Sequence, residues 1–253
     1  PDGLFVPRNG YLVLYEDTHF GTAFRLSENG EEVCLTMAVG GVLTGYSVTQ
    51  EFGASETGVS FGRYQKTSGG YDFVSMTNNT PNGANAAPLV GPVIITEIMY
   101  NPLTNGDAEY VEIQNISSQT VDLWLSDAGE VIPWRFVDED SSILLEIPAD
   151  TWLAAGEKML LIKNMAAFQS EYGAIPSGLK YAVWSSGSLS NGGERLELLK
   201  PGDTAEGVRY YVRVDRVNYD DAAPWPTSPD GTGKALGRIT PSAYGNDYAN
   251  WQA

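Results

Sequence analysis

The sequence predicts an all-β sandwich. Three observations carry that expectation: short β-rich runs recur at close spacing, Asn-Gly, Asp-Gly and Pro-containing turns punctuate them, and only one stretch reads as helix. Runs of four to eight β-branched and aromatic residues between turn residues are the rhythm of a sandwich rather than of a helical bundle.

The chain opens with FVPRNGYLVLYED, where a Pro/Asn/Gly turn precedes YLVLY at 11–15, read as a buried strand. Residues 20–25 connect it to LSENGEEVCLTM at 26–37, in which Asn29-Gly30 marks a turn and Val33 and Leu35 share a strand face. Further short strands are expected at 42–48, 59–64 and 71–76. Residues 77–92, TNNTPNGANAAPLVGP, have no periodicity and are read as a linker.

Beyond it, VIITEIMY and EYVEIQN read as two strands joined by NPLTNGDA, with Pro102 and Asn105-Gly106 enforcing the turn. VDLW at 121–124, IPWRF at 132–136 and ILLEI at 143–147 follow as strands, and residues 152–164 give turn plus strand. The single short helix lies near 165–172, with Asn164 as its N-cap and Gly173 closing it. SLSNGGERLELL, VRYYVRVDRVNY and KALGRIT supply the remaining strands before the chain ends on NDYANW.

Two halves of the sequence repeat. FVPRNGYLVLYED aligns with WLAAGEKMLLIKN, LSENGEEVCL with LSNGGERLEL, SFGRY with ALGRI, and YDFV with YANW, in one order. The first copy has no counterpart of residues 93–150, so residues 1–87 are expected to be a partial domain lacking its first strands, and 93–253 a complete one. Such a gap leaves a core face and a strand edge open. The chain is thus read as a fragment of a longer protein. The missing strands are expected from an unseen segment, from strand donation to residues 1–87 by another chain, or from docking onto a neighbouring domain.

The blocks ITEIMYNP (95–102), DAEYVEIQN (107–115), VDLWLSD (121–127), LAAGEKMLLIKN, GSLSNGGERLELL (187–199), DRVNYDDAAPWP (215–226), DGTGKALGRI (230–239) and NDYANW (246–251) resemble the lamin-tail domain family. The chain departs from the family pattern at Leu123-Trp124-Leu125, where Ser-Gly-Trp is usual, and at the acidic insertion DEDSS. The resemblance implies an immunoglobulin-like β-sandwich of the bacterial extracellular type, one complete copy and one partial. It further implies a binding or spacer role beside other domains, without catalysis.

Composition narrows the partners. Fifteen Lys and Arg against 32 Asp and Glu give a net charge of −17, a field that repels phosphate backbones and anionic lipid, so neither nucleic acid nor membrane insertion is expected. No apolar run reaches the length of a spanning helix. A lone cysteine, Cys34, allows no internal disulfide and is read as a small buried hydrophobe.

Chemistry is sparse. The one histidine, His19, sits in EDTHFG with no nucleophile-elbow motif elsewhere, and neither CxxC nor HExxH is present. No cofactor is expected, structural calcium being the alternative: Glu97, Asp107, Glu109 and Glu112 crowd one hairpin, and Asp138, Glu139, Asp140, Asp220 and Asp221 form two further acidic knots. None matches a DxDxDG loop, and solvated turns and strand ends explain them equally. Six Trp and 14 Tyr raise sugar stacking, with Trp124 and Trp184 as candidate platforms and Trp152, Trp225 and Trp251 read as core or loop anchors. The sequons at Asn78 and Asn115 matter only in a glycosylating host. The expected function is a non-catalytic, secreted or cell-surface module for adhesion or assembly, contacting protein partners or neighbouring domains of a larger bacterial protein. The alternative is an accessory carbohydrate-binding module of a secreted hydrolase.

Overall fold

Strand pairing dominates the computed structural model, which describes residues 4–21 and 25–253. Residues 1–3 and 22–24, the latter inside the connection read over 20–25, lie outside the described residues. The chain divides into two units. One comprises the described residues up to Gln65 with Tyr71–Leu89 and Asp203–Tyr210; the other comprises Lys66–Gly70, Val90–Gly202 and Tyr211–Ala253.

In the first unit, β1 (Gly30–Val39) and β2 (Val42–Gly53) form a long antiparallel hairpin that turns at Gly40-Gly41, both at positive φ. A second hairpin joins β3 (Phe61–Gln65) to β4 (Tyr71–Ser75). Phe61 stacks between Phe52 and Phe73, with ring centroids 5.8 and 5.9 Å away. Residues 77–89 double back on β4: Thr77 N–H donates to Ala87 O at 2.9 Å and Met76 bridges to Pro88.

One expected strand is not formed. YLVLY at 11–15 is irregular and exposes Tyr11, Leu14 and Tyr15 before a single π-type turn, Glu16–Phe20. β-propensity describes fit to a pleated surface beside a partner, and among the described residues no strand lies beside this run to pair its backbone.

The second unit begins with β5 (Val93–Met99) and β6 (Tyr110–Asn115). Short strands follow: β7 (Val121–Asp122), β8 (Trp124–Asp127), β9 (Glu130–Pro133), β10 (Arg135–Val137), β11 (Leu144–Glu146) and β12 (Trp152–Leu153). Then come β13 (Lys158–Ile162), helix α1 (Met165–Tyr172), β14 (Lys180–Val183), β15 (Glu194–Ala205), β16 (Val208–Tyr219), β17 (Leu236–Arg238) and β18 (Trp251–Gln252). Six strands pair in the order β14-β13-β6-β5-β17-β18 and four in the order β11-β10-β15-β16.

Alternation decides which side chains meet between these sheets. Val111 and Ile113 of β6 and Leu196 and Leu198 of β15 point inward at every second position, and Phe136, Trp184 and Val217 join them in one core. β13 is buried on both faces: Met159 and Leu161 enter that core, while Leu160 and Ile162 pack with Phe168 of α1 in a smaller cluster. This outer cluster holds the helix on the sheet. Asn164 caps it as expected, its Oδ1 accepting the Ala167 N–H at 3.0 Å. The helix returns the chain to β14, which pairs parallel to β13, a strand the sequence reading passed over.

The β15 turn is the tightest passage in this unit. Gly193 has φ 95°, and an added Cβ would stand 2.5 Å from the Tyr219 carbonyl oxygen. Gly207, at the far tip of the same hairpin, has φ 77° with nothing within 4 Å. Urea unfolding of Gly193→Ala should therefore show a loss of roughly 3 kcal/mol or more, against about 1 kcal/mol for Gly207→Ala, which meets only backbone strain. Equal losses would mean that the backbone approach at Gly193 is not a constraint.

Candidate functional site

The acidic hairpin β5–β6 is the natural place to look for chemistry. Its register sets Glu97 directly opposite Glu112, a like-charge pair that is unfavourable unless neutralised. The fold supplies separate partners to each. Glu97 accepts the Tyr110 hydroxyl, whereas Glu112 accepts Thr96 Oγ1 at 2.7 Å and the Lys158 ammonium at 2.8 Å. Glu109 turns inward instead, taking the Leu189 N–H at 2.7 Å and Lys163 Nζ at 3.0 Å, with Asp107 sharing that lysine at 3.1 Å. Burial pushes the Glu109 carboxyl above its ordinary range, although the Leu189 N–H and Lys163 pull the other way.

These four carboxylates thus share a hairpin without converging on one point. Among the described residues, no group of three or more His, Cys, Asp or Glu is gathered to hold a metal ion. The other acidic knots close loops. Asp138 is buried and accepts Ser142 Oγ at 2.5 Å and the Ile143 N–H at 3.0 Å; Asp140 accepts the Ser142 N–H at 2.9 Å, which lowers its pKa. Asp220 accepts the Ala222 N–H at 2.8 Å, an ordinary Asx turn.

The aromatic candidates separate by burial. Trp184 is only 3% exposed and sits in the core beside Phe136, so it offers no ring face to a sugar, and its reading as a stacking platform is corrected. Its place at the end of the parallel strand β14, unseen in the sequence, is what buries it. Trp124, on β8 opposite Pro133, stays partly exposed. Trp152, read as a core or loop anchor, is 46% exposed and lies outside the core, and the Lys180 ammonium stands 3.5 Å from its ring centroid. Trp225 and Trp251 pack together at the core edge.

Cys34 is exposed rather than buried; among the described residues β1 pairs with β2 alone, in a two-stranded sheet. Its thiol lies 2.9 Å from Ser47 Oγ, and hydroxyls of Ser47, Thr36 and Thr49 lower its pKa. His19 lies within the turn Glu16–Phe20, its Nδ1 engaged with the Tyr15 backbone. Asn115 of the second sequon is fully buried, its Nδ2 donating to the carbonyls of Gln119, Leu153 and Ala154, so it is a loop tie and no glycan acceptor.

The most developed polar site escaped the sequence reading. Asp215 of β16 and Arg238 of β17 form a buried ion pair at 2.7 Å. Asp215 also accepts the Ile95 N–H at 2.8 Å, while Arg238 donates to the Ile95 carbonyl at 3.1 Å and to the Ala243 carbonyl at 2.7 Å. Burial pushes the Asp215 carboxyl up and the guanidinium beside it pulls it back. Gly245 lies against the pair; a Cβ there would meet Arg238 Nη1 at 2.8 Å and Asp215 Oδ1 at 2.9 Å. A signal was present: two-residue alternation back from Tyr219 and Val217 places Asp215 on the inward face. An inward Asp on a strand facing the core needs a charged or hydrogen-bonding partner there.

Comparison with known families finds that the family model described as Lamin Tail Domain matches residues 86–220. Comparison with curated proteins finds no match.

Two outcomes follow for stability. Asp215→Asn leaves Arg238 buried without its counter-ion and should cost about 3–5 kcal/mol in urea unfolding, whereas Asp215→Asn with Arg238→Met should recover a substantial part. The pH dependence carries a definite sign. Burial raises the carboxyl pKa of both Glu109 and Glu194, so their contribution is fully present below the unfolded value and is lost as pH rises through the folded one. Stability should decline as pH rises above the ordinary glutamate range, with a slope of at most about 1.4 kcal/mol per pH unit per group. Glu109→Gln should flatten that slope. A stability that climbs across the same window would refute the assignment.

Proposed function

The chain belongs to the lamin tail domain family, and from that premise we propose that it is a non-catalytic binding and spacer module of the bacterial cell surface or extracellular space, acting in adhesion or assembly. The observation that carries this reading is the use made of buried charge. Glu109, Glu194 and Asp215 are each held by two or more partners within the fold. A carboxylate so engaged positions backbone and has little freedom to accept or deliver a proton to a substrate. The strongly acidic surface supports partners other than polyanions.

Two measurements test the proposal. Protease treatment of intact cells of the native host should remove the protein from the outer surface; protection from the protease until lysis would overturn the location. The purified chain should turn over no glycoside, ester or peptide substrate and should not be retained on insoluble polysaccharide. Retention that Trp124→Ala abolishes would instead favour the carbohydrate-binding alternative.

A further inference from the structure

Two turns of the chain are built alike. Ser27 and Ser190 each accept, through Oγ, the N–H two residues on, from Asn29 and Gly192, both at 3.2 Å. Each serine donates its own N–H to a glutamate four residues on, Glu31 or Glu194, both at 2.7 Å. Gly30 and Gly193 follow with φ 98° and 95°, and each lies against the backbone of the returning strand, at Phe52-Gly53 or Tyr219-Asp220. Such matching sets Glu31 against Glu194, Val33 against Leu196 and Leu35 against Leu198.

The two hairpins then part company. Leu196 and Leu198 are 0% exposed, and β10 lies along the edge of β15 with Phe136 opposite Leu198 and Val137 opposite Glu197. Val33 is 38% and Leu35 68% exposed, and among the described residues β1 pairs with β2 alone. Met37, Val39, Val42, Leu43 and Tyr46 extend this exposed apolar hairpin. An open edge beside uncovered apolar side chains is a template for an added strand.

We propose that the free edge of β1 is an acceptor for an extended strand donated by a separate polypeptide. The β10–β15 pairing fixes its register: antiparallel, with an aromatic residue opposite Leu35, the next opposite Cys34, an apolar one opposite Val33, and a fourth opposite Glu32. Charge specifies that fourth position. Glu32 faces Glu51 directly across the hairpin, an unfavourable like-charge pair that a Lys or Arg on the incoming strand neutralises. Donor chemistry is therefore aromatic-x-apolar-basic. A second copy of this chain does not meet it: its β10 is locked between β11 and β15 with Phe136 fully buried, Glu139 stands at the position that calls for a base, and two chains of charge −17 repel.

This inference rests on the reading of the chain as an assembly module, and its test is separable from that reading because it measures docking and not turnover. The probe is a labelled synthetic peptide with the sequence of residues 130–147 carrying Asp138→Val and Glu139→Lys, titrated into the 253-residue chain by fluorescence anisotropy beside a control peptide carrying Asp138→Val alone. The peptide with both changes should bind roughly tenfold more tightly than the control that lacks the lysine, slow hydrogen exchange at Cys34 and Thr36, and lose binding to the Leu35→Lys chain. Leu35 is exposed, so that variant keeps its fold. Absence of binding by both peptides, or equal binding by both, overturns the proposal. So does a chain that sediments as a dimer and that Leu35→Lys converts to monomer, since the occupant would then be a second copy.

Discussion

The two-sheet core of the second unit depends on one buried ion pair. Asp215 belongs to the four-stranded sheet through β16, and Arg238 to the six-stranded sheet through β17. Their contact is a directional cross-link between two layers whose shared core is apolar. It also settles a backbone problem. The β5–β6 register shifts between Ile95 and Glu97, and β17 pairs with β5 only at Glu97 and Ile98. The Ile95 N–H and carbonyl are thus left without a ladder partner on that side, and the carboxylate and guanidinium take them. A purely apolar pair would leave both groups of Ile95 orphaned in the core, at a cost comparable to a lost hydrogen bond for each. The pair sets register as well as energy.

That arrangement shows which parts of the fold were legible in the sequence. Alternation in EYVEIQN and ERLELL declares strands, and it also declares their inward faces, because side chains on a pleated strand reach opposite sides by covalent geometry. Asn164 and Gly173 declare the helix ends by local hydrogen bonding. Each of these signals acts within a few residues. What escaped is settled at long range. β14 is a strand because β13 lies beside it, and KYAV carries little to announce that. Trp184 is buried because β14 ends under the core, while Trp152 lies outside that core and meets Lys180 of the same strand over its ring. The acidic hairpin was legible as a cluster and not as a set of ion pairs, since Lys158 arrives from β13 and Lys163 from the residue that follows it.

Residues 11–15 and Cys34 carry the same lesson in the opposite direction. YLVLY has the composition of a strand and Cys34 the composition of a core position, yet neither is buried. β-structure needs a neighbour for its backbone and a second layer for its side chains, and composition supplies neither. In the second unit the matching positions of β15 are buried because β10 and the six-stranded sheet stand over them.

The two serine-glycine turns make that dependence quantitative within one molecule. The local bonds agree to the tenth of an ångström, so local chemistry has the same outcome twice: a strand reversal at a left-handed glycine followed by a glutamate that closes the loop. Exposure of the leucine four residues beyond each glutamate nevertheless differs between 68% and 0%. Nothing in the turns accounts for that difference. It arises from the presence or absence of a strand along the edge and a sheet across the face, and burying an exposed leucine contributes about 1.5–3 kcal/mol when such a layer is supplied. Turn chemistry therefore fixes where the hairpin is, and the covering layer fixes whether its face is core or surface.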